Sequence, residues 1–364
     1  MVDRDRLLGL WRRVLSLSWP ISVQHAFTTL MRTVDIVVAG AFAPAYVTAI
    51  GLADLYGQIP LRIGLSLGTG AIAMSSQDTG RAATATRNRA ITQAILLGFL
   101  LGVPLIAVGL LFADALVEIL GAERAVVRLG GAYLTLIFLA APMRIVGLVG
   151  ARSLQGTGDT VTPMLVNGGA SLFNAGATVT LALGVGPVPR LGIVGIGLAT
   201  LLARPLESAA VSIAIASPLT DLGFARPRSL TITKQLARIS VPNFLEGMST
   251  SVANFPFNAL LLVFGTEVNA AYHIGRRIYQ QLTGPIYRAI NTVASILVGQ
   301  ALGDGDPDEA RYVGFAIAGL SVAVLGLAGG VLVVGARPIA AFFTGDPTTL
   351  GYAIAFTRVF GGSM

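Results

Sequence analysis

The sequence predicts an all-α, polytopic membrane protein made of two parallel six-helix repeats, the second truncated in this chain. Three observations carry that prediction. Of 364 residues, 54% are apolar and only 12% charged, and the mean hydropathy is +0.75, whereas soluble domains carry about 25% charged residues. The stretches 90–113, 247–266 and 313–336 contain no Asp, Glu, Lys or Arg, and each is long enough to cross a hydrocarbon core of about 30 Å as a helix. Finally, the two halves repeat. SLSWPIS around Pro20 returns as RISVPNF around Pro242, Gly40 pairs with Gly265, Ile50-Gly51 with Ile274-Gly275, Pro60 with Pro285 and Gln77 with Gln300, all at offsets of 222 to 225.

Taken in order, the first span covers 14–41 and is too long, with no evident cleavage site, to be a signal h-region. The second, 49–76, carries Asp54, Gln58 and Arg62 every four residues, hence on one helix face. The third, 90–113, is uncharged. A fourth at 128–153 leads into a glycine-rich corner, after which 162–186 and 191–216 complete six spans. Arg204 and Glu207 on the sixth read as an i,i+3 pair. The polar stretch 218–238, with Pro218 and Pro227, divides the chain into a first lobe, 1–217, and an incomplete second, 239–364. Spans at 240–264, 270–302 and 312–336 follow, and a tenth starts near 349. By the repeat offset the second lobe should run to about 440, so the chain reads as a fragment or a truncated frame, the alternative being a form that functions without its last spans.

Arginine and lysine set the orientation. The amino terminus and the even loops hold 13 of them (Arg4 to Arg13, Arg81 to Arg89, Arg152, Arg226 to Arg238, Arg311), against 4 in the odd loops. The positive-inside rule then places the amino terminus in the cytoplasm, in a multi-pass protein of the cell membrane. The pI near 10.2 reflects those loops rather than a nucleic-acid partner. Other chemistries drop out by composition. There is no cysteine, Lys234 follows Thr233 so no GxxxxGK phosphate loop exists, and His25 and His273 cannot form HExxH. No metal centre, resident cofactor or enzyme activity is expected.

Three motifs carry a family resemblance: LQGTGDTVTPM at 154–164, GTEVNAAYHIGRR at 265–277, and VGQALG at 298–303 before an acidic loop and Arg311. With them the chain resembles the multidrug and toxic compound extrusion (MATE) transporters, nearest their DinF-like branch. The resemblance implies two six-helix lobes that export organic cations, drugs or amphipathic metabolites against an inward H⁺ or Na⁺ gradient, by alternating access around a midplane site. The 154–164 motif itself reads locally as a corner: Gly156 and Gly158 suit a helix end and turn, Thr162 a cap, and Pro163 a first helical position. The acidic loop alternates Asp304, Asp306 and Asp308, but an EF-hand requires glycine and glutamate where Glu309 and Phe315 stand. Asp308 and Glu309 suit a helix N-terminus instead.

Asp35 is the principal candidate. A carboxylate within a span is costly unless it faces a cavity or a partner, and such residues default to function; the bland reading is an i,i+3 pair with Arg32. It is read as the only acid in the middle of the first lobe's spans. The resemblance implies a cation site combining this aspartate with an asparagine and an aspartate on the fifth span and a threonine on the sixth. Here Asn174 and Thr200 match, while Thr178 stands where the second aspartate belongs. One carboxylate suits a proton better than a tight sodium cage. Gln58, Arg62, Asn254 and Asn258 are candidate cavity-lining residues, and Glu246 lies too close to Pro242 to take a family role. The expected partners are the bilayer and a small-molecule substrate, with the protein monomeric. The rival readings are a flippase for a lipid-linked saccharide, its pyrophosphate held by Arg62, Arg276, Arg277 and Arg288, and a non-transporting membrane protein or receptor. GDGD at 303–306 lacks the partner aspartate of an intramembrane protease.

Overall fold

The computed structural model describes residues 4–228, 230–344 and 346–363, and their side chains apart from 250–256, 258, 259, 262 and 266. Among these residues the secondary structure is wholly helical: α1 (Arg4–Gly40), α2 (Pro44–Gly80), α3 (Thr84–Glu118), α4 (Arg124–Leu139), α5 (Ala141–Gly156), α6 (Val161–Leu183), α7 (Ile193–Ala216), α8 (Thr231–Val263), α9 (Thr266–Gly303), α10 (Pro307–Ala341) and α11 (Pro347–Gly362). Every expected span has its helix. By length and apolarity alone, α3, α7 and α10 qualify as membrane-crossing, as does the bent pair α4–α5 taken together.

That pair is the main departure from expectation. The span at 128–153 is two helices, bent by 48° at Ala140. Pro142 sits in the first turn of α5, where it has no N–H to give and its ring crowds the preceding turn. Proline alone does not decide this, since Pro60, Pro104 and Pro205 lie within unbroken helices. At Pro142 a second helix also presses in. A Cβ on Gly102 of α3 would stand 2.5 Å from Pro142 Cα, so α3 reaches the bend only because residue 102 has no side chain. Small residues at such crossings are how helices pack in lipid, where the hydrophobic effect between them is weak.

The repeat extends further than sequence matching alone follows it. The ends of α1 and α8, α2 and α9, α3 and α10, and α4 and α11 all fall 223 residues apart. Even a turn is shared: Ala82 has φ +53° and Gly305, 223 residues on, has φ +81°. The first copy places an alanine where the left-handed conformation favours glycine.

The chain forms two compact units. The first comprises Met1–Ser22 with Leu245–Met364, the second Val23–Phe244. These limits differ from the lobes expected at 1–217 and 239–364, because the opening turns of α1 pack on the carboxy-terminal helices. In the first unit Val14 and Ile21 are buried with Val293, Leu297, Val313 and Ile317, and Trp11 Nε1 donates to the Ala316 carbonyl at 3.0 Å. In the second unit α2 packs on α5, α3 on α4 and α6 on α7. Val38, Ala49, Leu134, Phe138 and Ile196 form its main core. Gly195 lets α7 approach the α6 backbone, where a Cβ would come within 2.6 Å of Ala182 N.

Candidate functional site

Three helix faces of the second unit carry polar residues at helical spacing: Gln24, Thr28, Met31 and Asp35 on α1, Asn167, Asn174 and Thr178 on α6, and Thr200, Arg204 and Glu207 on α7. Steps of three, four and seven residues keep each set on one side of its helix. The start of α6 is fixed by Asp159, whose Oδ1 accepts the Thr162 amide at 2.9 Å. The cap is therefore the aspartate and not Thr162, which already lies inside the helix; Gly158, at φ +97°, makes the turn before it.

The four residues picked from the sequence meet. Thr178 Oγ1 donates to Asp35 Oδ1 at 2.8 Å, with Asn174 Oδ1 a longer alternative acceptor at 3.5 Å, and Asn174 Nδ2 donates to Thr200 Oγ1 at 3.2 Å. Asp35 and Thr200 are each 6% exposed, and Asn174 and Thr178 fully buried. A carboxylate, an amide and two hydroxyls thus line up across α1, α6 and α7, their hard oxygen atoms joined by hydrogen bonds of 2.8 to 3.5 Å. Such a set can hold a proton on the carboxylate or approach a small hard cation through oxygens. The ion pair of Asp35 with Arg32 is not what holds the carboxylate: Arg32 is exposed and the hydrogen-bond donor is Thr178.

Below this cluster runs a second one that was only partly read. Arg204 Nη1 lies 2.6 Å from Glu207 Oε2, as the i,i+3 spacing suggested. Glu207 is 5% exposed and also accepts Asn167 Nδ2 at 2.8 Å, while Thr28 Oγ1 donates to Asn167 Oδ1 at 3.2 Å. Gln155 Nε2 donates to Gln24 Oε1 at 3.2 Å. Asp54 is half-buried on α2, within electrostatic range of Asp35, Arg32 and Arg144. Asp35 is therefore not the only interior acid of the first lobe; Asp54 and Glu207 share the interior. Arg144 was missed altogether. Its Nη1 donates to the Gly57 carbonyl of α2 at 3.3 Å, and its signal was available as the lone charge between 129 and 151. Asn167 could have been found as the residue two helical turns before Asn174.

Gln58 and Arg62 are half-buried on α2. The side chains of Asn254 and Asn258 lie outside the described residues. In the acidic loop, Asp306 caps α10 by accepting the Glu309 amide at 2.8 Å, with Asp308 and Glu309 in the first turn. A further polar knot joins the α2–α3 corner to the segment after α7. Arg87, 6% exposed, donates to Thr79 Oγ1 at 3.2 Å and to the Asp221 carbonyl. Burial holds its guanidinium below the usual arginine range and pushes nearby Asp78 above the usual carboxylate range.

Known proteins resemble this chain in sequence and in fold. A protein described as an FAD transporter from Shewanella oneidensis is 28% identical over 260 residues, 71% of this chain and 57% of that protein. A probable multidrug resistance protein NorM from Rhodopseudomonas palustris is 28% identical over 357 residues, 93% of this chain and 73% of the relative. This chain thus spans little more than half the length of the Shewanella protein. Among solved structures, a crystal structure of MATE in the straight conformation matches with a TM-score of 0.86 at 22% identity, covering 95% of this chain and 77% of that one; at that identity the likeness concerns the fold. The family model MatE matches residues 20–180 and 242–364, which takes in all of α2 to α5 and of α9 to α11 and most of α1, α6 and α8. The helix order, the repeat and this match agree, and the chain belongs to the MatE family.

Proposed function

We propose that this protein is a secondary active antiporter that exports organic cations, drugs or amphipathic metabolites, driven by inward H⁺ or Na⁺ acting at Asp35. The observation that carries the reading is the buried hydrogen-bonded line Asp35–Thr178–Asn174–Thr200. An ionisable group kept in a membrane interior costs several kcal/mol unless it has partners, and evolution retains such groups for transport pathways. Because the line ties three helices together, binding or releasing one ion there changes what holds α1 against α6 and α7. No covalent chemistry is required. With Thr178 in place of a second carboxylate, the site has one negative charge to offer, which supports a proton as the coupling ion over sodium.

The test is efflux of a fluorescent organic cation from proteoliposomes under an imposed pH or Na⁺ gradient, parent beside Asp35→Asn. The asparagine keeps the size and removes the charge. Loss of the gradient-driven component, with the substrate still bound, is the expected result. Undiminished coupled efflux in Asp35→Asn would leave the aspartate without a coupling role. The same vesicles should be challenged with FAD, since the Shewanella relative is named for it and a dinucleotide is an amphipathic metabolite.

A further inference from the structure

Arg204 stands between two carboxylates. On its own helix it holds Glu207 at 2.6 Å through Nη1. Its Nη2 reaches Met31 Sδ at 3.8 Å, and Met31 lies one helical turn before Asp35 on α1. Asp35 is within electrostatic range of the same guanidinium. The third donor of the fork, Nε, is buried with no hydrogen-bond partner among the described residues. A buried donor left unmatched is costly, and an arginine presents its donors in a fixed planar fork that suits carboxylates. Met31, which Nη2 already reaches, precedes Asp35 by one helical turn, a rise of about 5 Å.

We propose that Arg204 is a positioning residue that exchanges partners between Glu207 and Asp35 as the charge on Asp35 changes. With Asp35 neutral or ion-bound, Arg204 rests wholly on Glu207. That carboxylate then keeps Asn167, and through it Thr28, so that α1 is fastened to α6 and α7. With Asp35 bare and negative, Arg204 is drawn toward it, and Glu207 loses its counter-charge and keeps only the Asn167 amide. The occupancy of the upper cluster is thereby felt at the lower one. The inference rests on the reading of Asp35 as the coupling group.

Other charges face Asp35 and must be counted. Arg32 lies on α1, Asp54 on α2, and the Tyr133 hydroxyl on α4. Arg144 on α5 faces Arg204 and Asp54 rather than pairing with Glu207. None of them touches both carboxylates of the exchange, whereas Arg204 pairs with one and is within range of the other.

The experiment measures equilibrium binding of a fluorescent organic cation as a function of pH, with the full protein in proteoliposomes. Parent, Arg204→Gln, Glu207→Gln and Asp35→Asn are compared. Removing the cation in one variant and the competing anion in the other should displace the midpoint of the pH profile in opposite senses, each by about one pH unit. Displacement in the same sense, or none in either folded variant, overturns the exchange. A merely structural role would lower the amount bound without moving the midpoint. If Arg204→Gln does not fold because Glu207 is left unpaired, the doubly neutral Arg204→Gln/Glu207→Gln takes its place. It differs from Glu207→Gln by the Arg204 charge alone, and the two profiles should then stand about one pH unit apart; coincident profiles overturn the exchange. Asp35→Asn separates the two readings. If it leaves the pH profile intact, the coupling role of Asp35 fails first. If it flattens the profile while the other variants leave the midpoint in place, the exchange alone is wrong.

Discussion

Gly102→Ala should unsettle the bend between α4 and α5 although it adds a single methyl group. The new Cβ would lie 2.5 Å from Pro142 Cα, 2.9 Å from its nitrogen and 3.1 Å from its Cβ. Carbon atoms rest at about 3.5–4.0 Å, and two of these three neighbours are backbone, so no rotamer change relieves the clash. The helices must part by about 1 Å, and overpacking of this kind costs about 1–3 kcal/mol. Alanine also gains about 0.5–1 kcal/mol over glycine within a helix, which obscures the cost unless it is matched. Gly176→Ala supplies the match, because nothing lies within 4 Å of a Cβ there. The propensity gain is common to both variants, so their difference is the clash. At about 2–4 °C per kcal/mol, Gly102→Ala should unfold roughly 2–12 °C below Gly176→Ala in detergent, followed by far-ultraviolet circular dichroism. Since α5 carries Arg144 two residues beyond Pro142, the destabilised variant should also weaken the Arg144 bond to the Gly57 carbonyl. Equal or higher stability of Gly102→Ala would mean that α3 and α5 do not meet as described.

Four further outcomes are expected. Thr178→Asp restores a second carboxylate beside Asp35 and should raise the dependence of efflux on sodium, read as transport rate against Na⁺ concentration; an unchanged sodium response would speak against the oxygen cluster as an ion site. Ala82→Gly relieves a left-handed alanine, worth about 1–2 kcal/mol before the entropy cost of glycine, so a small rise in unfolding temperature should follow and a fall would refute the strain. Asp346 caps α11 by accepting the Thr349 amide at 2.7 Å, which holds its carboxyl below the usual range. The stability it adds is therefore full above the ordinary aspartate range and lost as the pH falls through its own lowered value. Hydrogen exchange at 348–351, corrected for intrinsic rates, should show that loss in the parent and not in Asp346→Asn. Finally, Arg87→Met removes the bonds to Thr79 and the Asp221 carbonyl, and should speed proteolytic cutting in 217–225; an unchanged cutting rate would assign that segment's order to other contacts.

Helices were legible because their signal is local. Charge-free runs and polar corners need only neighbouring residues to be seen, and every expected span except 128–153 is a single helix. The break at Ala140 was not, since its cause lies partly on another helix, in the missing side chain of Gly102. The site divides the same way. Asp35 stood out by being charged within a span, and Asn174, Thr178 and Thr200 were reached by resemblance. Thr28, Asn167 and the second bond of Glu207 depend on which faces of α1, α6 and α7 meet, and a single sequence does not disclose that. Arg144 carried the same signal as Asp35 and was passed over. The cap at Asp159, placed instead on Thr162, shows how a three-residue error survives when several residues of a motif can each accept an amide.

The division of α1 between the two units bears on the order in which the protein can assemble. Residues 23–244 form their unit from one continuous stretch, all of it available once that stretch leaves the ribosome. The other unit is assembled from both sides of it. Val14 and Ile21 are buried against Ala289, Val293 and residues beyond, about 270 residues later in the chain. At ribosomal rates of about 5–20 residues per second, that gap is roughly 15–50 s. For that interval the apolar side of the opening helix has no partner of its own chain and must be sheltered by lipid or by the insertion machinery. The segment synthesised first is among the last to reach its place.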